Sequence, residues 1–496
     1  MPPSYTLYPP AGSFRAFAPL IAAEINHVNV TVETENVETI AQQKSPTGQL
    51  PILEFAVNRN SSRSSSTTAS SSSSSLSSLP LSLNVQQTLD PCVIVMKQMI
   101  TNHSHLWEDK GGILSLAQGV VYWNPPPTVQ EALTEALLDP LLHTYCPDEG
   151  VPELLHAVQA KLAMENGLHH HRALITIGAN QAYMNVVLTL LDGQNNNNNK
   201  AIVFCPYYFN HVMAIQLVAG NDHVVVGPCT NENDGVPDAT WLNNYLDQAD
   251  TTVSMVTITN PGNPTGVSLS RDQLREYVQI TKKHNVWLVL DCTYEHFDHL
   301  HGSETFECFE DEHIIHIFSF SKGYAMAGFR CGYVVLHEKS TNAFSQMRKV
   351  QDTIPICPPR ISQWAALGAL RVPRQWVLDQ VQTLDPSRKH LLSALSCLSQ
   401  VMGGSGAMYI MGKLPNGMND LDTCETLVKE YGIAIIPGSF CGLPGWIQVC
   451  YSNLTPDKCV SSSKIEARVS AFVCCCCCWR GGNRSIIVFY KNSVLQ

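Results

Sequence analysis

Six short apolar segments alternate with helical patterns over much of the chain, and this alternation limits the possible folds more than any other feature. The segments read ALITIGA, AIVFCPY, TVSMVTIT, VWLVLDC, HIIHIFSF and RCGYVVL. Such alternation predicts an α/β fold with a mostly parallel sheet covered by helices. Ligands bind such sheets beside the carboxyl ends of the strands, so the residues that follow each segment indicate the function.

Several of these strand-end residues are of types that suit ligand binding or catalysis. They lie at or just beyond the end of each segment: Gly178, Ala179 and Asn180 for the first, Tyr207 and Tyr208 for the second, Asn263 for the third, Asp291 and Tyr294 for the fourth, and Ser319, Ser321, Lys322 and Arg330 from the end of the fifth to the start of the sixth. Structural explanations exist for some of them: Gly178 for a plain turn, Tyr208 for rim packing and Asp291 for a helix cap. Two Asn-Pro pairs in NPGNPTG restrict the backbone around Asn263, which favours a functional loop.

Lys322 follows a segment that is expected to be buried. Burial lowers the pKa of a lysine and makes its amine a nucleophile toward carbonyls. Arg330 offers a forked cation that suits phosphate, and the backbone N–H groups at the start of a helix suit the same anion. The whole set predicts a flat ligand with a phosphate, a phenolic oxygen, a ring nitrogen and an aldehyde, and pyridoxal phosphate has these features.

The motifs YCPDEGVPEL, GANQA, PYYFN, NPGNPTG, DCTYE and SFSKGYAMAGFRCGY resemble those of the class I and II aminotransferases. These are fold type I enzymes that depend on pyridoxal phosphate. The resemblance runs from about residue 90 to about residue 455, and SLAQGVVYWNPP and VQDTIPIC are similar to the plant-type enzymes for aromatic amino acids and methionine. It implies a large, mostly parallel sheet domain, a smaller α+β domain and a homodimer.

The resemblance also implies a role for each site residue. Lys322 would bond to the cofactor aldehyde and carry the proton between the substrate's α-carbon and the cofactor, while Asp291 would keep the pyridine nitrogen protonated. The other implied roles are the ring oxygen for Asn263 and Tyr294, stacking for Tyr208, the phosphate for Ala179, Asn180, Ser319, Ser321 and Arg330, the neighbouring subunit's phosphate for Tyr145, and the substrate carboxylate for Gly119. No metal is expected.

One departure from the family concerns the substrate. In PGSFCGLPGWIQVCYSNL the family would carry an arginine that pairs with the α-carboxylate, whereas this chain has Gln448. We expect weaker amino-acid binding, by about 1.5–3 kcal/mol. The implied function is transamination between an aromatic amino acid or methionine and a 2-oxo acid. A lyase reaction such as β-elimination on the same scaffold, or a non-catalytic cofactor-binding protein, remains the alternative.

Composition divides the chain further. Residues 61–83 are almost all serine and threonine and predict a flexible linker. Residues 1–60 resemble the thioredoxin-like N-terminal half of a glutathione-transferase domain, as in elongation factor 1-gamma. The alternative is that they are a fragment of that fold without an activity of its own.

Residues 84–456 are expected to be the aminotransferase part, with its large domain at about 126–340. The atypical tail, 457–496, contains Cys474–Cys478; a metal site there is disfavoured against a disordered tail or an error in the gene product.

The length, charge and cysteine content of the chain limit its number of domains, its binding partners and its cellular compartment. A length of 496 residues suits two or three domains. The net charge of -11 argues against general binding to nucleic acids or anionic membranes. The N-terminus lacks the pattern of a signal peptide, and no apolar run approaches the length of a membrane span. Thirteen of the 18 cysteines are scattered, which favours reduced thiols in the cytoplasm.

Overall fold

The computed structural model describes residues 82–460, except 89, 192–198, 232–233, 249–251, 300–305, 307 and 416. The predicted thioredoxin-like segment and nearly all of the serine-rich linker and of the tail, including the cysteine run, lie outside the described residues. The described residues belong to one compact unit.

Seven strands form the larger sheet, in the spatial order β2-β8-β7-β6-β5-β3-β4. Their bounds are β2 His171–Thr176, β3 Lys200–Phe204, β4 Val224–Gly227, β5 Val253–Thr259, β6 Trp287–Asp291, β7 Ile314–Ser319 and β8 Gly332–His337. Neighbouring strands from β4 to β7 run parallel, whereas β8 is antiparallel to both β7 and β2. The predicted mostly parallel α/β sheet is therefore confirmed.

Helices pack against this sheet and around the smaller one. In the described ranges they are α1 Leu83–Gln87, α2 Cys92–His103, α3 Pro127–Leu137, α4 Pro152–Glu165, α5 Gly178–Leu190, α6 Phe209–Ala219, α7 Ala239–Gln248, α8 Arg271–Lys283, α9 Thr341–Thr353, α10 Arg360–Ala369, α11 Arg374–Gln382, α12 Asp385–Leu395, α13 Asp420–Thr426 and α14 Pro456–Val460. The central strands are mostly apolar and buried because both faces of the sheet are covered. All six residues of β8, for example, are buried.

A smaller antiparallel sheet has the strand order β12-β13-β10-β9. Its strands are β9 Val401–Gly403, β10 Tyr409–Lys413, β12 Ile436–Pro437 and β13 Trp446–Cys450. A separate parallel pair joins β1, Leu114–Ser115, to β11, Ile433–Ala434. Helix α2 packs beside this pair, where Met96 lies in an apolar cluster with Ala117 and Ala434. The smaller α+β part is thus assembled from segments that precede and segments that follow the strands of the large sheet in the sequence.

The antiparallel direction of β8 determines what meets at the carboxyl edge of the large sheet. Gly332, the first residue of β8, pairs with Ser319 at the end of β7 and with Thr176 at the end of β2. The residue two positions before β8, Arg330, therefore lies at the edge where β2 and β7 end. A Cβ on Gly332 would lie 2.8 Å from the carbonyl oxygen of Phe318, so only glycine permits this close approach.

Candidate active site

A cavity of about 670 Å³ opens at the carboxyl edge of the large sheet. Twelve of the predicted site residues line it: Gly119, Ala179, Asn180, Tyr208, Asn263, Asp291, Tyr294, Ser319, Ser321, Lys322, Arg330 and Gln448. Tyr145 does not line the cavity and is instead 76% exposed at the surface. The fold thus brings together residues that lie up to 329 positions apart, from Gly119 to Gln448.

Lys322 extends into this cavity from the turn after β7. Its ammonium group donates a hydrogen bond to the carbonyl oxygen of Gly119. Burial lowers the pKa of Lys322 to about 8; Arg330 lowers it further, whereas Cys450 and Asp291 act in the opposite direction. A lysine with this pKa is neutral in a substantial fraction of molecules near physiological pH, so its amine is available as a nucleophile and a base.

Asp291 ends β6 and is buried, with 5% of its surface exposed. Thr293 donates to Oδ1 through its backbone N–H at 3.0 Å and its hydroxyl at 2.6 Å. His211 Nε2 lies 3.2 Å from Oδ2. Burial alone raises the pKa of Asp291, but hydrogen bonds from His211 and Thr293 outweigh it and hold the pKa below its ordinary value. The cavity therefore contains a fixed negative charge.

Arg330 and Gly178 form a close contact at the start of α5. The guanidinium donates to the carbonyl oxygens of Ala327 at 2.8 Å and Ile177 at 3.5 Å. Gly178 has a φ of +77°, and a Cβ there would lie 2.5 Å from Nη2 of Arg330. Both the backbone angle and the space therefore require glycine. This contact sets a cation beside the N-terminus of a 13-residue helix, an arrangement that suits an anion.

Four polar side chains form a hydrogen-bonded chain along another wall. Gln448 Nε2 donates to Asn263 Oδ1 at 3.1 Å, and Asn263 Nδ2 donates to the Tyr294 hydroxyl at 3.3 Å. The Tyr294 and Tyr409 hydroxyls share a hydrogen bond of 2.7 Å. Burial raises the pKa of Tyr294 well above its ordinary value, so the phenol stays protonated and can donate.

Tyr208 lies at the rim of the cavity, with its ring beside the buried pair of Asp291 and His211. Its hydroxyl donates to Asn180 Oδ1 at 3.4 Å and accepts from Asn210 Nδ2 at 3.0 Å. The ring meets the His211 ring edge-on, with centroids 5.2 Å apart. These contacts fix the ring orientation and leave an aromatic surface that can face a flat ligand.

Sequence reasoning missed two residues of this site. His211 lies three positions after Tyr208, so the helical period from PYYFNH could have placed it one turn further on the same face. It also stacks on Tyr183, with centroids 4.1 Å apart, which orients its ring toward Asp291. Tyr409 begins β10 of the small sheet, and no local pattern around it indicated a site.

Comparisons with known proteins agree with this geometry. The sequence model of the family "Aminotransferase class I and II" matches residues 112–460. The chain is 39% identical to the aromatic aminotransferase ISS1 of Arabidopsis thaliana over 345 residues, which are 69% of this chain and 85% of that protein. The chain belongs to the class I and II aminotransferases.

Solved aminotransferase structures share its fold. Aspartate aminotransferase from Thermus thermophilus with maleate superposes with a TM-score of 0.69 at 25% identity, covering 79% of this chain and 100% of that one. The aromatic aminotransferase from Pyrococcus horikoshii gives a TM-score of 0.64 at 25% identity and covers 76% and 97%. This aminotransferase therefore has the fold type I architecture and depends on pyridoxal phosphate. None of its described helices is long and apolar enough to cross a membrane.

The residues of the cavity fit this cofactor. Gly178 leaves the space that Arg330 occupies at the helix N-terminus, where a phosphate requires cationic and N–H donors. The ionised Asp291 suits a protonated ring nitrogen, and the neutral Tyr294 suits a ring oxygen. Lys322 supplies the amine for an aldehyde.

Proposed function

We propose that this aminotransferase exchanges the amino group of an aromatic amino acid or methionine with a 2-oxo acid. The name of its relative from Arabidopsis supports an aromatic substrate. The observation that carries the proposal is the apolar wall that α2 adds to the cavity, through Val93, Met96 and Ile100. Apolar side chains of this size gain free energy by covering a large apolar substrate.

We assign the phosphate of the cofactor to the end of the cavity that contains Arg330. Arg330 supplies a forked cation there, and the N-terminus of α5 adds the N–H groups of Ala179 and Asn180. The backbone N–H of Ser321 donates to Ser319 Oγ at 3.1 Å, which orients that hydroxyl. Both serines line the cavity and are the remaining donors that we assign to phosphate oxygens.

The ring of the cofactor is assigned to the space beside Tyr208 and Asp291. Bound pyridoxal phosphate supplies an aldehyde that accepts the amino group and a protonated ring that withdraws electrons from the substrate's α-carbon. Asp291, with His211 behind it, holds a proton on the ring nitrogen by its fixed charge. Tyr294 and Asn263 donate hydrogen bonds toward the ring oxygen.

Lys322 holds and moves the proton in this proposal. Its pKa of about 8 lets the same amine act as a base and as an acid within one cycle. The carbonyl of Gly119 accepts a hydrogen bond from Lys322, which points the amine across the cavity toward the loop that contacts the substrate. Gln448 completes this substrate side with one amide N–H group.

We further propose that the enzyme is a cytoplasmic homodimer with shared sites. Tyr145 is exposed together with Leu137, Leu138 and Leu141, and a second copy of the chain would cover these apolar side chains. The thirteen described cysteines are all free thiols, which suits a reducing compartment. Sedimentation analysis should give a dimer, and a monomer at micromolar concentration would contradict the proposal.

The visible absorption band of the bound cofactor tests the proposed function. The band should appear in the purified protein and disappear when L-phenylalanine or L-methionine is added without an acceptor. It should return when a 2-oxo acid is added. Lys322→Ala should lack the lysine-dependent band. If neither amino acid changes the band while L-aspartate does, the proposed substrate class is wrong.

A further inference from the structure

The substrate side of the cavity lacks a charge at Gln448. Its side chain is buried, with 2% exposed, and its amide donates to Asn263 Oδ1 at 3.1 Å. Asn263 in turn donates to Tyr294, so the polar wall beyond Gln448 is neutral. A neutral amide can give a carboxylate one hydrogen bond but cannot balance its charge. An amino-acid substrate therefore needs a cation from elsewhere in the cavity.

Three lysine or arginine side chains line the cavity within the described part of the chain: Lys97, Lys322 and Arg330. Lys322 is placed against Gly119, and Arg330 donates to the carbonyl oxygens of Ala327 and Ile177 beside the N-terminus of α5. Lys97 forms no hydrogen bond or ion pair with any described residue. It is thus the cation that the proposed cofactor arrangement leaves free.

Helix α2 presents Lys97 to the cavity on an apolar face. Val93, Met96, Lys97, Ile100 and Thr101 all line the cavity, and their spacing of three and four residues places them on one side of the helix. Met96 also anchors the helix, because it is buried in the cluster that contains Val428. A ligand that covers this face meets apolar side chains and one positive charge together.

We propose that Lys97 binds the carboxylate of the substrate and so replaces the charge that Gln448 lacks. This inference rests on the proposed function, since it takes an amino acid with an apolar side chain as the substrate. The ammonium of a lysine is a point charge on a flexible stem, which suits a carboxylate at the exposed side of a cavity. Because Lys97 is exposed, its contribution to binding should weaken as the salt concentration rises.

Two unreactive probes separate the charge from the apolar contact. 3-Phenylpropionate carries a carboxylate, and 3-phenylpropanamide has the same shape without the charge. Calorimetry on the cofactor-loaded protein should show that the wild type prefers the carboxylate. Lys97→Gln should weaken carboxylate binding by about tenfold or more and amide binding by less than about twofold. Lys97→Arg should keep most of the preference.

Lys429→Gln is the matched control, since it removes the same charge from an exposed lysine that does not line the cavity. It should leave both affinities unchanged. The inference is overturned if Lys97→Gln keeps the carboxylate preference, or if the wild type binds the two probes equally. Addition of L-phenylalanine to the wild type reports separately on the proposed function. If the cofactor band responds to L-phenylalanine but Lys97→Gln still prefers the carboxylate probe, only the role of Lys97 is rejected. If the band does not respond, both the substrate class and the role of Lys97 are rejected.

Discussion

Gln448 Nε2 donates a hydrogen bond of 3.1 Å to Asn263 Oδ1 inside the cavity, which links the substrate side to the loop proposed to hold the cofactor ring. The link is neutral, although Gln448 occupies the position where the resemblance predicts an arginine. Gln448 pairs with Ile436 and Met411 in the small sheet, so its backbone is fixed whichever side chain it carries.

Gln448→Arg should lower KM for L-phenylalanine by about tenfold, because a guanidinium can form a charged, two-pronged contact with a carboxylate. Steady-state kinetics with a fixed 2-oxo acid measures this change. Gln448→Lys adds the positive charge without the bidentate geometry of a guanidinium and should give a smaller decrease in KM. An unchanged or higher KM for Gln448→Arg would show that the position does not face the substrate carboxylate.

The same substitution should rescue Lys97→Gln. If both positions serve one carboxylate, adding Gln448→Arg to Lys97→Gln should restore most of the lost affinity for 3-phenylpropionate. The two effects should then be non-additive in a double-mutant cycle measured by calorimetry. Additive effects would indicate that the two side chains act on different parts of the ligand.

Gly178→Ala should weaken cofactor binding by about tenfold or more, since the new methyl would lie 2.5 Å from Arg330 Nη2 and displace it. The positive φ adds about 1–2 kcal/mol of strain. Gly111→Ala is the matched control, because Gly111 has a φ of +85° and a Cβ added there would meet no atom within 4 Å. Both variants should lose thermal stability, but equilibrium dialysis should show weaker pyridoxal phosphate binding only in Gly178→Ala. Equal losses would assign the effect to backbone strain.

The rate of cofactor uptake by the cofactor-free protein should rise with pH around pH 8. Lys322 has a pKa of about 8, and only its neutral amine can attack an aldehyde, so the rate is low below this pKa and levels off above it. Stopped-flow absorbance from pH 6 to pH 10 measures the profile. A midpoint near pH 10.4, the ordinary value for lysine, would show that Lys322 is not desolvated in solution.

The protein should lose stability as the pH falls below about 6.5. Burial lowers the pKa of His171 to about 4 and that of His316 to about 3, and neither ring nitrogen of His316 has a hydrogen-bond partner in the described structure. The unfolded chain binds a proton at each histidine between pH 6.5 and these lowered values, whereas the folded chain does not. Each histidine therefore lowers the free energy of unfolding by about 2 kcal/mol at pH 5.

His316→Leu tests this pH dependence by removing one of the two groups. Urea unfolding at pH 7 and pH 5 should show a smaller loss of stability in this variant than in the wild type. His156→Leu, at an exposed position of α4, serves as the control and should keep the wild-type loss. If His316→Leu keeps the wild-type loss as well, other groups account for the acid sensitivity.

Much of the cavity could be predicted from the chain because its residues follow the strands directly. Parallel strands end at one edge of a sheet, so local patterns place Ala179, Tyr208, Asn263, Asp291 and Lys322 side by side without any knowledge of strand order. The large sheet, the family and the cofactor also follow from these patterns, since apolar runs and strand-end residues are local properties of the sequence.

Only the tertiary structure decided which distant groups complete the site. Arg330 reaches the cavity because β8 runs antiparallel, and strand direction depends on packing between segments rather than on the segment itself. His211 and Tyr409 approach Asp291 and Tyr294 from other elements. The helical period after Tyr208 could place His211 on the same helix face, but its contact with Asp291, like that of Tyr409 with Tyr294, depends on packing between distant segments. The sequence alone determined the absence of arginine at position 448, but the burial of Gln448 against Asn263 and the approach of α2 are long-range contacts that exist only once the chain has folded.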